Sequence, residues 1–367
     1  LDFTEIRRPS RPLAAYGMLR LGGLYAFPDG TDGARDKEEE FYYDASLYYM
    51  TDTFLDKESS LVLYGGREGI YMATGNDAFN SKGVRTRIEA WYRPWSLYRE
   101  GFYDGGDFIP TLRYKGEEYR VRMGVLMPVN TTGSIHAEAA AYWGRNHFTR
   151  SDQTPEPASQ YMVPDDYQVT GVRISMEGGE IVYDRFTNLP IGGAKFTLWG
   201  ERELNDSDEL FGTPGWQSEI PGKFWRAGGL VSWYKQLAAE SHTLVVRARG
   251  RWYDEEDRVH IFDSTFPAGR QMVDLNVGWR WEWSRSFYLQ PFLMGQYLQV
   301  PDEFGTGEEE EYFLGGGLFA RYTLNRTFSF YLDYSYLENA AREPVGLEDY
   351  TLAEHRLLAG VEIAFGG

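Results

Sequence analysis

From Gln271 to Trp283 the chain reads Q-M-V-D-L-N-V-G-W-R-W-E-W. Val273, Leu275, Val277, Trp279, Trp281 and Trp283 take one face, and Asp274, Asn276, Gly278, Arg280 and Glu282 take the other. An unbroken period of two predicts a β-strand with one apolar and one polar face. The pattern starts between Pro12 and Phe27, with Leu13, Ala15, Leu19, Leu21, Tyr25 and Phe27 on one face, and returns at Tyr43, Ala45, Leu47 and Tyr49. Residues 61–74 read as one strand bulged at Gly65-Gly66. Residues 84–93 are a clean strand, and 108–114 with 119–128 read as a hairpin around Lys115-Gly116. Strands follow at 135–143, 167–186 (continuous if Gly178-Gly179 is a bulge), 194–203, 225–233, 244–252, 271–283, 287–300, 312–324, 328–336 and 359–365. No stretch carries an obvious helical period.

This is an all-β chain of about 16 strands, with 14 to 18 open. Its connections alternate between a few residues and long polar segments through the second half, the asymmetry of a transmembrane barrel with short turns on one rim and long loops on the other. Many strands are longer than the soluble mode of about 5–6 residues and match the roughly 9–11 that a tilted strand needs to cross a bilayer. The expectation is an antiparallel transmembrane β-barrel. Residues 1–11 form an N-terminal tail, residues 12–367 a single barrel domain, and both termini lie in the periplasm. The apolar row of 271–283 then faces lipid, with its Trp cluster toward the short-turn rim. Tyr49, Tyr92, Trp143, Trp233, Trp252, Trp283 and Tyr336 fit interfacial girdles.

Composition agrees. Aromatic residues make up 16% of the 367, including 27 Tyr and 11 Trp, which suits rings with one apolar and one wet end. There is no Cys, so neither a disulfide framework nor a thiolate metal site is available. The net charge of −18 argues against a nucleic-acid partner. No run of eighteen apolar residues is present, so no transmembrane helix is expected. A chain that begins at Leu1 reads as an exported protein after removal of its signal peptide.

The closing strand, with V-E-I-A-F at 361–365, resembles the assembly signal of Gram-negative outer-membrane β-barrels, and the pattern as a whole resembles the porin type. It departs from that type by carrying Gly366 and Gly367 after Phe365. The resemblance covers about residues 12–367 and implies a channel in the bacterial outer membrane, in contact with lipid and lipopolysaccharide.

Charges in the clean strands fall on the polar register, where the roughly 2–4 kcal/mol cost of a midplane charge on the lipid face is avoided. Arg20, Arg85, Arg87, Arg93, Arg120, Arg122, Arg173, Arg247, Arg249, Arg251, Arg280 and Arg321 are all expected to line the lumen. In texture this is similar to alginate-export-type barrels and anion-selective porins. Arg85, Arg87, Arg93, Arg120, Arg122, Arg247, Arg249, Arg251, Arg280 and Arg321 are the candidate solute path. Arg247, Arg249 and Arg251 would stack guanidinium groups about 6.7 Å apart along one strand. Two readings stay open. The row could attract carboxylate, phosphate or an acidic polysaccharide. It could instead close a salt network with Asp44, Glu89, Glu138, Glu201, Glu203, Asp274, Glu282, Asp333 and Glu362.

The acidic segments at 29–40, 254–257 and 308–311 could hold Ca²⁺ or bridge divalent ions to lipopolysaccharide, but D-G-T-D-G lacks calcium-loop spacing and solvated loop charge is the preferred reading. The five His are scattered, and no H-E-x-x-H, G-x-S-x-G or phosphate-binding glycine loop is present, so no enzyme, cofactor or metal is expected. Residues 94–107 are a candidate lumen constriction. The expected function is passage of hydrophilic, anionic or saccharide solute, including an exported acidic polysaccharide. The alternative is a non-conducting barrel that anchors or sheathes a partner protein, such as a periplasmic one.

Overall fold

The computed structural model describes residues 15–29, 40–51, 59–66, 69–77, 83–94, 99–104, 107–132, 134–150, 162–184, 187, 189–207, 210–213, 216–257, 269–301, 308–342 and 351–365. Its regular elements are strands: β1 (Ala15–Asp29), β2 (Glu40–Thr51), β3 (Ser59–Gly66), β4 (Gly69–Asp77), β5 (Arg85–Arg93), β6 (Arg99–Asp104), β7 (Asp107–Pro128), β8 (Ile135–Arg150), β9 (Tyr167–Tyr183), β10 (Pro190–Asn205), β11 (Leu210–Thr213), β12 (Trp216–Glu219), β13 (Lys223–Gln236), β14 (His242–Asp257), β15 (Gly269–Ser284), β16 (Phe287–Pro301), β17 (Glu308–Thr323), β18 (Phe328–Arg342) and β19 (Thr351–Phe365). Sixteen of them form a closed antiparallel barrel. The first strand pairs with the last, from Gly17 opposite Phe365 to Asp29 opposite Ala353. Closure pairs the edges that would otherwise present bare N–H and C=O groups to hydrocarbon.

The strand count agrees with the sequence, but two local readings offset each other. Residues 61–74 are not one bulged strand. They belong to the hairpin β3–β4, which closes where Gly66 faces Gly69, and Gly69 has φ +129°, a conformation that L side chains rarely adopt. Conversely, 108–128 is not a hairpin. β7 runs straight through, with Lys115 opposite Thr149 and Gly116 opposite Phe148. The polar K-G-E-E run resembles a turn only because that part of the strand lies toward the long-loop rim. Residues 167–183 are a single strand, and Gly179 takes φ +103°. The pairing irregularity beside it falls at Pro190/Gly192 on β10.

The pleat sorts the side chains as the pattern requires. Val273, Leu275, Val277, Trp279, Trp281 and Trp283 point outward and are exposed, whereas Met272, Gly278 and Arg280 on the other face are buried. Trp143, Trp233 and Trp252 are likewise exposed on the outer face. An apolar surface turned outward is the arrangement lipid selects. The connections 129–134, 184–189, 237–241, 285–286 and 324–327 lie on the rim where β1 starts and β19 ends. β1, β8, β10 and β14 end, and β2, β9, β13 and β15 start, on the opposite rim, where the intervening sequence is longer. The Trp row ends beside the 285–286 turn, so it approaches the short-turn rim as expected.

Two elements modify the long-loop end. β6 pairs with the first part of β7, from Arg99 opposite Tyr114 to Asp104 opposite Asp107, and so lengthens the wall. The part of 94–107 that is described is therefore a wall extension, which corrects its reading as a constriction. The β11–β12 hairpin does pack inside. Phe211 and Ile220 are buried with Phe148, Tyr167, Val169 and Phe224, with Val163 against them. Phe148, Tyr167, Val169 and Phe224 sit on the inward register of the wall. A backbone bridge between Met162 and Gly212 ties the hairpin to the segment before β9. The N-terminal tail, the 30–39 part of the first acidic segment, Gly366 and Gly367 lie outside the described residues.

Candidate functional site

The inward-facing charges are the candidate site. Their sidedness follows from geometry: side chains converge on the concave face of a barrel and diverge on the convex one. Arg87 on β5 reaches Glu177 on β9 at 3.3 Å, across β7 and β8. Arg120 on β7 reaches Glu203 on β10 at 3.1 Å, across β8 and β9. Contacts that skip two strands are available only from inside.

Ion pairs and hydrogen bonds of this kind cover the wall from β4 to β13. Glu89 accepts from Tyr71 at 2.6 Å and is paired with Arg122. Arg87 also holds Glu138 at 3.2 Å, and Ser175 donates to the same carboxylate at 3.3 Å. Glu118 is paired with Arg120 and lies 3.6 Å from Arg93. Glu203, with no exposed surface, accepts from Tyr142 at 3.2 Å and pairs with Arg120 and Arg226. Arg226 reaches Glu201 at 2.9 Å, and Arg173 reaches the same residue at 3.2 Å. Each buried charge has an opposite charge, the condition under which buried ions are tolerated. Aromatic faces back the guanidinium groups: Arg173 lies over Trp199 and Arg120 over Tyr142.

The β14 row differs. Arg247, Arg249 and Arg251 face Ser232, Leu230 and Gly228 on β13 and Asn276, Asp274 and Met272 on β15. Asp274 is the one acid among those six partners. Arg249 Nε donates to it at 2.6 Å, and Gln296 donates to its other oxygen at 2.8 Å. The Arg249 side chain keeps 40% of its surface exposed. Arg247 and Arg251 also have partners.

The remaining predicted positions stand apart. Arg280 is buried at the short-turn end, donates to the Pro190 carbonyl at 2.5 Å and to Glu282 at 3.1 Å, and is not open to a solute. Arg321 is paired with Glu362 at 2.6 Å, and Arg20 lies 3.6 Å from Asp44 and over the Tyr331 ring. Arg85 is exposed at the start of β5. The sequence reading missed Arg226, Glu118 and Glu177, and it missed the tyrosines that complete these contacts. Arg226 sits between Trp225 and Ala227 on the same alternation that marked those two as outward, so the signal was present.

One group outside the strands is also engaged. Asp166, just before β9, accepts from the Phe148 N–H at 3.0 Å, lies 2.6 Å from His147 Nδ1 and accepts from Arg145 at 2.9 Å. Partial burial pushes its carboxyl up. The bonds from Phe148, His147 and Arg145 outweigh that and hold it below the ordinary carboxylate range. No group of His, Asp or Glu suited to a metal occurs among the described residues.

No family model and no curated protein matches the sequence. Among solved structures the chain is similar to BamA from Haemophilus ducreyi lacking POTRA domains 1–3, with TM-score 0.57 and 11% identity over 96% of this chain and 70% of that one. It is similar to CdiB from Acinetobacter baumannii, with TM-score 0.54 and 8% identity over 95% of this chain and 60% of that one. It is also similar to CdiB from Escherichia coli, with TM-score 0.54 and 12% identity over 98% of this chain and 64% of that one. The chain thus spans less than two thirds of either CdiB chain. At such identities the likeness concerns the fold. With the outward apolar belt it defines an outer-membrane β-barrel of Gram-negative type, located in the bacterial outer membrane.

Proposed function

We propose that the barrel is a channel for hydrophilic solutes, with anionic or saccharide material, including an exported acidic polysaccharide, as its cargo. The observation that carries this reading is the contrast between the two parts of the inward face. The β4–β13 wall is locked by mutual ion pairs, whereas the β14 row sets three guanidinium groups against one in-register acid. Spaced at about 6.7 Å, such groups offer successive weak sites to carboxylates and sugar hydroxyls, which favours passage over capture. No chemical step is involved. Of the ten predicted path residues, Arg247, Arg249 and Arg251 are the ones we assign to the solute. Arg87, Arg93, Arg120, Arg122, Arg280 and Arg321 hold the wall.

Reversal potentials across planar bilayers under a salt gradient test the assignment. The native barrel should prefer anions, and the variant Arg247→Gln/Arg249→Gln/Arg251→Gln should lose that preference. Cation selectivity unchanged by the triple substitution would overturn it. The inward-packed β11–β12 hairpin favours a second reading, a non-conducting barrel that anchors a partner protein. Zero conductance in both the native barrel and one lacking that hairpin would decide for it.

A further inference from the structure

Lys195 on β10 takes the inward face, because Trp199, Glu201 and Glu203 on the same alternation meet Arg173 and Arg226 inside the lumen. The pairing of β10 with β9 and β13 is regular through this stretch. Lys195 is exposed, and among the described residues its ammonium makes no hydrogen bond and no ion pair. Its register partner on β9 is Gly179, which has no side chain to set against it. The one acid diagonal to it on that strand, Glu177, is held by Arg87 at 3.3 Å. The wall pairs its buried charges and leaves this one open to solvent.

On its other side Lys195 faces Ser232 on β13, and Ser232 faces Arg247 on β14. The Ser232 hydroxyl also bonds to no described residue. An ammonium, a hydroxyl and a guanidinium thus stand in one row across three adjacent strands. Strands lie about 4.8 Å apart, so the two basic residues are about 10 Å apart at the backbone with the hydroxyl midway. Side chains converge on a concave wall, and a group seated over Ser232 is in reach of all three. The donors arrive from both sides and from below. Three such directions match the three terminal oxygens of a tetrahedral ester group, whereas a carboxylate offers two oxygens in one plane.

We propose that Lys195, Ser232 and Arg247 form a lumen site for a tetrahedral oxyanion on a sugar, a sulfate or phosphate ester. The site rests on the reading of the lumen as a solute path, and it narrows the cargo from anionic material in general to this class. Lys195 supplies a compact charge with freely rotating donors, and the planar fork of Arg247 sets the orientation of the ester. Contact with one row of exposed donors is weak enough for exchange with Arg249 and Arg251.

Chloride current through the barrel in planar bilayers, measured as glucose 6-sulfate, glucose 6-phosphate or glucuronate is added, tests the site. Glucose 6-sulfate and glucuronate carry the same charge, so a difference between them reads geometry. The native barrel should be blocked by the esters at a concentration about tenfold below that needed for glucuronate. Block by one ester alone supports the site and names the ester. Lys195→Gln should raise the half-blocking ester concentration about tenfold, Ser232→Ala about threefold, and Lys195→Arg should keep most of the block. Lys235→Gln, on the outward face of β13, should change nothing. Heat-shifted gel mobility confirms that each variant is folded. Anion preference that survives in Lys195→Gln with an unchanged ester block, or glucuronate that blocks as strongly as glucose 6-sulfate, overturns the site and leaves the solute-path reading standing. If the native barrel passes no current, that reading fails, and calorimetric titration of the detergent-purified barrel with glucose 6-sulfate decides the site. Binding that is lost in Lys195→Gln then supports it, and binding that is absent or unaltered overturns it.

Discussion

Removing the carboxylate of Glu203 is the sharpest probe of the charged wall. Glu203 is fully buried and is shared by Arg120 at 3.1 Å, by Arg226 and by Tyr142 at 3.2 Å. In Glu203→Ala, Arg226 keeps Glu201 at 2.9 Å and Arg120 keeps Glu118. Each cation therefore loses one of two partners, and the buried wall gains an excess positive charge. Breaking a buried pair costs about 3–5 kcal/mol, and the surviving partners place this case near 3 kcal/mol. That is about two decades in the unfolding equilibrium. With an m-value of about 2–3 kcal/mol/M, the urea midpoint in lipid vesicles should fall by roughly 1 M. Glu203→Gln keeps an acceptor for Tyr142 and should lose about half as much. Arg249→Ala removes a half-exposed partner of a single acid and should cost under about 1 kcal/mol. Tryptophan fluorescence and heat-shifted gel mobility follow both transitions. If Glu203→Ala and Arg249→Ala shift the midpoint equally, the buried ion pairs are not what holds this wall.

Three further outcomes follow from the same contacts. Replacing residues 207–219 by a short Gly-Ser linker removes the inward-packed hairpin and should raise single-channel conductance, whereas shortening the β6–β7 extension should leave it unchanged. Asp166 has a depressed carboxyl pKa in the fold, so its clamp is fully present above the ordinary carboxylate value of about 3.9 and is lost only as pH falls through the lower folded value. Protection factors of the Met162 and Gly212 amides, taken against the intrinsic rate at each pH, should therefore be steady from neutral pH down to about 5, and Asp166→Asn should lower them throughout. Trp279→Arg removes an outward ring stacked 5.3 Å from His242 and should lower folded yield. Arg280→Ala, expected from the pattern alone to be far milder, strands the Pro190 carbonyl and Glu282 inside the wall and should lower the yield comparably.

The sequence by itself determined the class of fold and the sidedness of most strands. Alternation alone assigns Val273 to lipid and Asp274 to the lumen, because a pleated strand has only two faces and the bilayer accepts only one kind. It determined the number of strands less securely. The β3–β4 turn at Gly66 and Gly69 and the uninterrupted passage of β7 through Lys115-Gly116 differ in backbone conformation and pairing, which composition does not encode. Tertiary structure decided which charges meet. Glu203 lies far along the chain from Arg120, and only barrel curvature brings them together across two intervening strands. The same curvature separates Arg249, with one acid in register, from Arg226, with two within reach, though both stand on the same alternating pattern. A periodic sequence fixes which way a side chain points. What it points at depends on strands that are neighbours only once the sheet has closed.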